Sequence, residues 1–392
     1  MKKRFLSLGS QPIANNFRDP ADKTDEFKFD LNVTFDDDTK LVSLESFVSP
    51  EMMFNDSYVY HSSMSQTMRD HFKEVSNSLI KEFSPEKILE IGSNDGVFIK
   101  NFRKETTVAV EPCGNFAKHT NDLGYKTYNG FWESEVAKRV ISETEKKDLI
   151  FSANCMCHIQ NLDDAFILIE GSLEENGIFV FEDPSLLLML QRGSYDQIYD
   201  EHAHIFSVTA LKNILEKANL DIFRVNSIPV HGGSNRIFAC RKGSRKIEDS
   251  VGIALIEENK NGLNNYETYE NFADNVEKSK EDLIRLLNDY KTEGKKICSY
   301  GATSKSTTIF NYCQIGPDLI DYIVDTTPDK QGKLSPGVGI PVISPSEGFN
   351  ESIDVAFLGA WNFKEEIIRK EKAFIESGGV FITHVPTVQV CK

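Results

Sequence analysis

The stretch Lys87-Ile-Leu-Glu-Ile-Gly-Ser-Asn-Asp-Gly-Val-Phe98 decides the reading of this chain. Ile88, Leu89 and Ile91 form an apolar run of strand length. Gly92 and Gly96 bracket the turn formers Ser93-Asn94-Asp95, and Val97, Phe98 and Phe102 follow at helical spacing. Glycine lets a ligand approach the backbone closely, so a strand, a glycine turn and a helix are expected to open a nucleotide-type cofactor site. The turn is neither Gly-x-Gly-x-x-Gly nor a phosphate loop ending in Gly-Lys-Ser/Thr, and both of those sites are poor fits.

A second short run, Thr107-Val-Ala-Val-Glu-Pro112, ends in the carboxylate of Glu111, at the offset a ribose-binding acid takes. A carboxylate at a strand tip can accept two hydrogen bonds from a ribose diol. Together the two stretches resemble a class I S-adenosylmethionine-dependent methyltransferase.

Outward from this unit, strands and helices alternate as in a parallel, doubly wound α/β sheet. Phe72, Val75, Leu79, Ile80 and Phe83 mark one face of a preceding helix. After Glu111 the pattern predicts a helix near 115–123 and strands at 126–128 and 148–154. A helix at 162–173 follows, ended by Glu174-Glu-Asn-Gly177, then a strand at 178–183, a helix at 210–218 and a hairpin of 220–230 with 235–241. Before it, residues 1–69 read as a small, partly β N-terminal lobe. It opens with a loop-rich Leu8–Phe17 and continues with a half-buried strand at 27–35 and another at 40–48. Asp36-Asp37-Asp38 reads as a solvated turn, and Tyr58-Val-Tyr-His-Ser-Ser63 as a polar loop or a flap that touches substrate.

The expected domains are therefore the lobe at 1–69, a cofactor domain at 70–243, a charged helical connector at 244–293 and a C-terminal Rossmann-like domain at 294–392. Charges in the connector, Glu257-Glu258 among them, read as solvated. The last domain repeats the strand–glycine–helix form at Lys296–Thr308, with further strands at 319–325, 354–359 and 379–385. Its backbone N–H groups after Gly301, with Lys305, either serve packing alone or hold a phosphate.

Composition narrows the function classes. Sixty acidic against 44 basic residues in 392 give a net charge of −16, which argues against a nucleic-acid surface. No apolar run reaches the ~18 residues of a membrane span. Met-Lys-Lys-Arg opens like a signal peptide, but no hydrophobic stretch follows it. Seven scattered cysteines without a Cys-x-x-Cys pair point to reduced thiols and a cytoplasmic protein. Cys155-x-Cys157-His158 lacks evident further ligands, and no metal site is expected.

The densest chemical cluster is Tyr195-Asp-Gln-Ile-Tyr-Asp-Glu-His-Ala-His-Ile-Phe206, which follows the 178–183 strand where loops of an open sheet face the ligand crevice. His158, just past the 148–154 strand, shares that edge. With these residues the chain resembles the sugar C-methyltransferase family of deoxysugar biosynthesis, whose members methylate nucleotide-linked 4-keto sugars at C3. The resemblance runs over nearly the whole chain. It rests on Leu8-Gly-Ser-Gln-Pro-Ile-Ala-Asn15, Tyr58–Ser63, Glu90–Gly96, Tyr199-Asp-Glu-His202, His231-Gly-Gly-Ser-Asn-Arg236, Tyr300-Gly-Ala302 and Asp325–Pro336.

The resemblance implies an N-terminal lobe, a cofactor domain and a C-terminal Rossmann-like domain, with substrate in the cleft between the last two. It implies S-adenosylmethionine as cofactor, a nucleotide-linked sugar as partner, and base-generated enolate chemistry. Expected catalytic residues are His202 as base, Glu201 to orient it or bind sugar hydroxyls, and Tyr199, Tyr60 and His158 as donors to the enolate oxygen. Gly92, Asn94, Asp95 and Asn154 are expected at the methionine portion of the cofactor, Glu111 at the ribose and Phe131 on adenine. Asn235, Arg236 and Lys305 are expected at the nucleotide of the substrate. Family members hold a structural zinc in the lobe through cysteines. This chain has no cysteine before Cys113, and only His61 and His71 precede it as other donors. A zinc-free lobe and a divergent member are therefore expected. The alternatives are an O- or N-methyltransferase acting on a sugar or surface-polysaccharide precursor, and a non-catalytic scaffold.

Overall fold

A computed structural model describes residues 1–391. The N-terminal lobe is an antiparallel sheet of β1 (Lys2–Pro12), β2 (Lys28–Asp36) and β3 (Val42–Leu44). Next come β4 (Ile88–Ile91), β5 (Thr107–Glu111), β6 (Lys126–Asn129), β7 (Lys147–Ala153) and β8 (Leu173–Pro184). The two-residue β9 (His204–Ile205) returns to pair with β3. With β10 (Leu220–Ile228) and β11 (Ser234–Arg241), the central sheet runs β6-β5-β4-β7-β8-β11-β10, parallel except at the closing hairpin. The third sheet contains β12 (Ile297–Tyr300), β13 (Tyr322–Val324), β14 (Val342–Ile343), β15 (Val355–Leu358), β16 (Val380–Thr383) and β17 (Gln389–Cys391). Its order is β14-β13-β12-β15-β16-β17, with only β17 antiparallel. The class is α/β, a Rossmann-like methyltransferase sheet joined to an N-terminal lobe and a second Rossmann-like sheet.

Strand alternation builds the central layers. Leu89, Ile91, Phe179 and Phe181 face one core with the helices Ser134–Glu143, Leu162–Ser172 and Val208–Leu215. Ile88, Ile178 and Val180 face the other, under the helix Gln66–Phe83. The two cores use successive residues of the same strands, as a period of two requires.

Several expectations are corrected. No α-helix follows Gly96: the chain makes only a short 3₁₀ turn at Ile99–Asn101. The Asn101 side-chain amide donates to the carbonyls of Val97 (3.2 Å) and Phe98 (2.9 Å), acceptors that a continuing helix would use. Phe98 instead stacks on Phe151 at 3.8 Å and meets Phe72 of the Gln66–Phe83 helix, which fills that layer. Of the loop-rich opening Leu8–Phe17, Ile13 to Phe17 form no strand, but Leu8 to Pro12 end the long strand β1, whose alternation is broken by register shifts at Arg4/Leu6 and Ser7/Ser10, with Gly9 at φ +70°. The strand expected at 40–48 is confined to Val42–Leu44. The half-buried strand at 27–35 is buried on both faces from Leu31 to Phe35. Glu174–Gly177 belongs to β8, with no loop between helix and strand. In the connector, the helix Tyr266–Thr292 buries Tyr269, Phe272, Val276, Leu283 and Leu287. Tyr269 stacks on Phe35 of the lobe at 4.5 Å. Glu258 is not solvated: its carboxylate accepts from the N–H groups of Val208 (2.6 Å) and Thr209 (2.8 Å), capping the helix Val208–Leu215.

Candidate active site

The turn after β4 and the turn after β12 are built alike. Gly92 N–H donates to Val110 O and Gly301 N–H to Val324 O, each at 2.8 Å. An acid at the neighbouring strand's tip then accepts from the turn: Glu111 Oε2 from Asn94 N (2.7 Å), and Asp325 Oδ2 from Ala302 N (2.7 Å). Gly92 has φ +77°, and a Cβ there would lie 2.7 Å from Cys155 Sγ, so the turn excludes a side chain on two counts.

Between the two turns lies a cavity of about 950 Å³. It is lined by Gly92, Asn94, Glu111, Phe131, Asn154 and His158 from the central sheet, and by Tyr199, Glu201 and His202 from the loop after β8. Gly301 to Lys305 and Lys330 line the C-terminal side, and Tyr58 to Ser62 form a flap. The flap is tied to the cofactor turn: Ser62 N donates to Asn94 Oδ1 (3.0 Å), Ser63 N to Asp95 Oδ2 (3.1 Å), and Asn94 Nδ2 to Tyr60 O (3.0 Å).

At the cavity's centre the Tyr199 hydroxyl lies 2.8 Å from His202 Nε2, and His202 Nδ1 lies 2.6 Å from the carbonyl of Gln197. A carbonyl can only accept, so Nδ1 carries the proton and Nε2 is the acceptor for Tyr199 O–H. Burial, reinforced by His158 and Lys305, holds the His202 imidazole well below its usual range, hence neutral. His158 stacks on His202 at 5.4 Å and on Phe54 at 5.2 Å, and burial pulls it down to about 3. Glu201 accepts from Asn15 Nδ2 (2.6 Å) and from Tyr58 O–H (2.9 Å). Burial raises its carboxyl, against the opposing pull of Lys330 and Lys305.

The expected residues divide by location. Tyr60, His158, Tyr199, Glu201, His202, Gly92, Asn94, Glu111, Phe131, Asn154 and Lys305 all line the one cavity. Asp95, Asn235 and Arg236 are not among its lining residues. Arg236 Nε donates to Glu182 Oε1 at 2.5 Å, and the same carboxylate meets His71 Nε2 at 2.6 Å. That guanidinium is taken up by a buried carboxylate. Four residues of the site were not singled out in the sequence, although each lies in a stretch quoted there: Asn15 and Tyr58 on Glu201, Lys330, and His231. Lys330 Nζ donates to Ala302 O at 2.7 Å. His231 is a non-glycine residue at φ +53° that lines the cavity, and its strained backbone was the sort of signal only a structure carries.

Beneath the site, Asp183 accepts from Cys157 N at 3.3 Å, and burial pushes its carboxyl up to about 7. An acid whose folded pKa is raised adds stability below its unfolded value, 3.8, and loses it as pH rises through about 7. Asp183→Asn, neutral at every pH, is expected to gain on the wild type between pH 5 and pH 8. Paired urea titrations at those two pH values check this, and an equal difference at both would contradict it.

The buried Glu111 fits an S-adenosylmethionine ribose. Each of its oxygens takes one backbone N–H, from Asn94 and Cys113, and keeps a lone pair for a hydroxyl. Metals fit less well. Cys157, His158 and His202 bring ligand atoms within 4.8 Å of one another. Both His202 ring nitrogens are already engaged, however, so an ion there would have to displace Tyr199 or Gln197.

Residues 60–225 match a family described as "Methyltransferase domain", and residues 229–386 one described as "C-methyltransferase C-terminal domain". Residues 1–54 match "Putative zinc binding domain". That stretch contains neither cysteine nor histidine, so the donors of a thiolate or imidazole zinc site are missing from it. Among solved structures, an S-adenosylmethionine-dependent methyltransferase from Clostridium acetobutylicum is 12% identical, covering 45% of this chain and 92% of that one with a TM-score of 0.36. The CurJ carbon methyltransferase is 14% identical, covering 48% and 57% with a TM-score of 0.35. The C-methyltransferase NovU of Streptomyces niveus is 30% identical over 98% of this chain and 93% of its own length. The chain belongs to the C-methyltransferase family and is an S-adenosylmethionine-dependent C-methyltransferase.

Proposed function

We propose that this enzyme methylates the carbon beside the ketone of a nucleotide-linked 4-keto sugar, through an enolate drawn off by His202. The observation that carries this reading is the 2.8 Å pair of Tyr199 O–H and a neutral His202 Nε2 inside the cavity. A ketone and its α-hydrogen sit on adjacent carbons and need a donor and an acceptor side by side. When substrate enters, the Tyr199 hydroxyl turns to the carbonyl oxygen, and the freed Nε2 takes the α-proton. The O–H then stabilises the enolate oxygen, with Tyr60 and His158 lining the same wall.

S-Adenosylmethionine, when bound, supplies a methyl on a good sulfonium leaving group. This chain's residues therefore have to hold it, remove the proton and align the carbon. Gly92, Asn94 and Asn154 take the methionine portion, Glu111 the ribose and Phe131 the adenine. Lys305 and Lys330, which burial pulls below the usual lysine range, face the cavity from the C-terminal side and suit the diphosphate of the sugar nucleotide. None of these roles draws on a metal.

The test is incubation with S-adenosylmethionine and a panel of nucleotide-linked sugars, both 4-keto and fully hydroxylated, read by mass spectrometry and NMR. Methyl on carbon, with 4-keto sugars alone, is the expected result. Methyl on oxygen or nitrogen of a hydroxylated or amino sugar would sink the enolate reading while keeping the cofactor site.

A further inference from the structure

We propose that Trp361 and Thr308 of the C-terminal domain are positioning residues that clamp the loop carrying the base. The proposal rests on the reading of His202 as that base. The carbonyl that fixes the tautomer of His202 belongs to Gln197, and both chain neighbours of Gln197 are anchored from the C-terminal side. Asp196, fully buried, accepts from Trp361 Nε1–H through Oδ2 at 2.5 Å. Ile198 O lies 3.3 Å from Thr308 Oγ1, whose one proton it shares with Ser304 O, also at 3.3 Å. The side chain of Gln197 is held locally, with Nε2 donating to Ser194 Oγ at 2.7 Å. The orienting carbonyl is thus bracketed by two hydrogen bonds that cross between domains.

Packing supports the same assignment. His384 Nε2 lies 3.4 Å from the Asp196 Oδ2 that Trp361 engages. The His384 ring stacks on Phe357 at 5.9 Å and meets Tyr195 edge-on at 5.5 Å. The Trp361 indole also closes on Gly232: a Cβ there would lie 2.5 Å from the ring. The same indole therefore abuts the loop that projects His231 into the cavity. Ala360, Asn362 and Phe363, the neighbours of Trp361 in sequence, line that cavity. A ligand seated against them presses on the segment that holds Asp196. In this arrangement the base is set only when the C-terminal domain is docked, and proton removal is coupled to a closed cleft.

The experiment uses the full chain, labelled with ¹⁵N-histidine and saturated with S-adenosylhomocysteine. The Nδ1–H of His202, assigned by its loss in His202→Gln, is expected as a slowly exchanging imidazole resonance in the wild type. In Trp361→Phe/Thr308→Val, which keeps an aromatic ring and a β-branched side chain but removes both donors, its exchange with water is expected to accelerate at least ~10-fold. Asp196→Ala is expected to do the same, and Asp196→Asn, which keeps an acceptor for the indole, to restore it. With the 4-keto sugar that gives product, kcat of the double variant is expected to fall ~10²-fold, as small misplacements of a reacting group do, with KM for S-adenosylmethionine unchanged. Equal exchange rates in wild type and double variant, at equal melting temperatures, would overturn the clamp. A His202→Gln protein that methylates at the wild-type rate would overturn the base assignment instead, while the exchange rates would still decide whether the clamp exists.

Discussion

His202→Ala is expected to lower kcat for methyl transfer by ~10³-fold, inside the range a general base contributes, with the affinity for S-adenosylmethionine changed little. The size follows from geometry. Nε2 is the only acceptor in the Tyr199–His202 pair, because Nδ1–H is spent on Gln197 O. His158, the neighbouring ring, stacks face to face on His202 and does not share its hydrogen bonds, so it is no substitute. Tyr199→Phe keeps the acceptor and removes the donor to the enolate, and its expected loss is smaller, ~10²-fold. The double variant should fall little below His202→Ala alone, since groups that act as a unit are not additive. The pH profile adds an independent check. Because burial holds the His202 pKa well below 6.5, the base stays neutral through mildly acid pH, and kcat should show no inflection there. A fall in kcat centred near pH 6.5 that disappears in the variant would mean an ordinary, solvated imidazole. Solvent deuterium entering the sugar carbon in the absence of S-adenosylmethionine should be lost in the same variant.

Much of the architecture was legible because it is local. Four- and five-residue runs such as Ile88–Ile91 and Thr107–Glu111 are buried throughout, and continuous apolar runs between turns announce such strands. What was hidden depends on partners distant in sequence. β9 is two residues long and exists because β3 accepts it as a neighbour. β1 is a strand with two register shifts, and a bulge destroys the alternation by which a strand is read. The missing helix after Gly96 shows the opposite failure. Apolar spacing there suits a helix, yet those side chains fill a layer under Gln66–Phe83 while Asn101 takes the carbonyls.

The site divides the same way. The cofactor turn and its acid, Gly92 and Glu111, sit on two successive strands only 19 residues apart and carry their own pattern. The surroundings of the base do not. Asn15 reaches Glu201 across 186 residues, Tyr58 across 143, and Trp361 reaches Asp196 across 165. Asn15 and Tyr58 lie in stretches that carry the family resemblance, but nothing local to them or to Trp361 names the partner. Arg236 is the instructive opposite: an arginine in a motif beside the crevice invites a phosphate, but a buried carboxylate 54 residues away has already claimed it. Residue type selects what a side chain is able to bind, and only the fold decides which partner reaches it first.

Glu111→Gln is expected to weaken S-adenosylmethionine binding by ~10–10²-fold while kcat at saturating cofactor stays near that of the wild type. The carboxylate oxygens accept from Asn94 N at 2.7 Å and Cys113 N at 2.9 Å. An amide of the same shape offers one oxygen and one NH₂, so one of those backbone donors would face another donor. The lost charged hydrogen bond to a ribose hydroxyl costs about 1.5–3 kcal/mol of affinity, whereas the unpaired backbone donor, about 1–3 kcal/mol, weighs on the free and the bound protein alike. At 1.4 kcal/mol per tenfold, the ribose hydrogen bond alone gives that fold-change. The turn itself should survive. Burial and the Glu111 charge together hold the Glu90 carboxyl well above its usual range, so removing the Glu111 charge relieves a repulsion inside the same core. The loss is therefore expected mainly in affinity, with the melting temperature lowered by no more than the one unpaired donor, a split that a merely structural glutamate would not give. Calorimetric titration of S-adenosylhomocysteine, together with thermal unfolding of the unliganded proteins, reads both halves. A dissociation constant within threefold of the wild type would take Glu111 off the ribose. A collapse of the melting temperature would make its two backbone hydrogen bonds, and not the ligand, its main task.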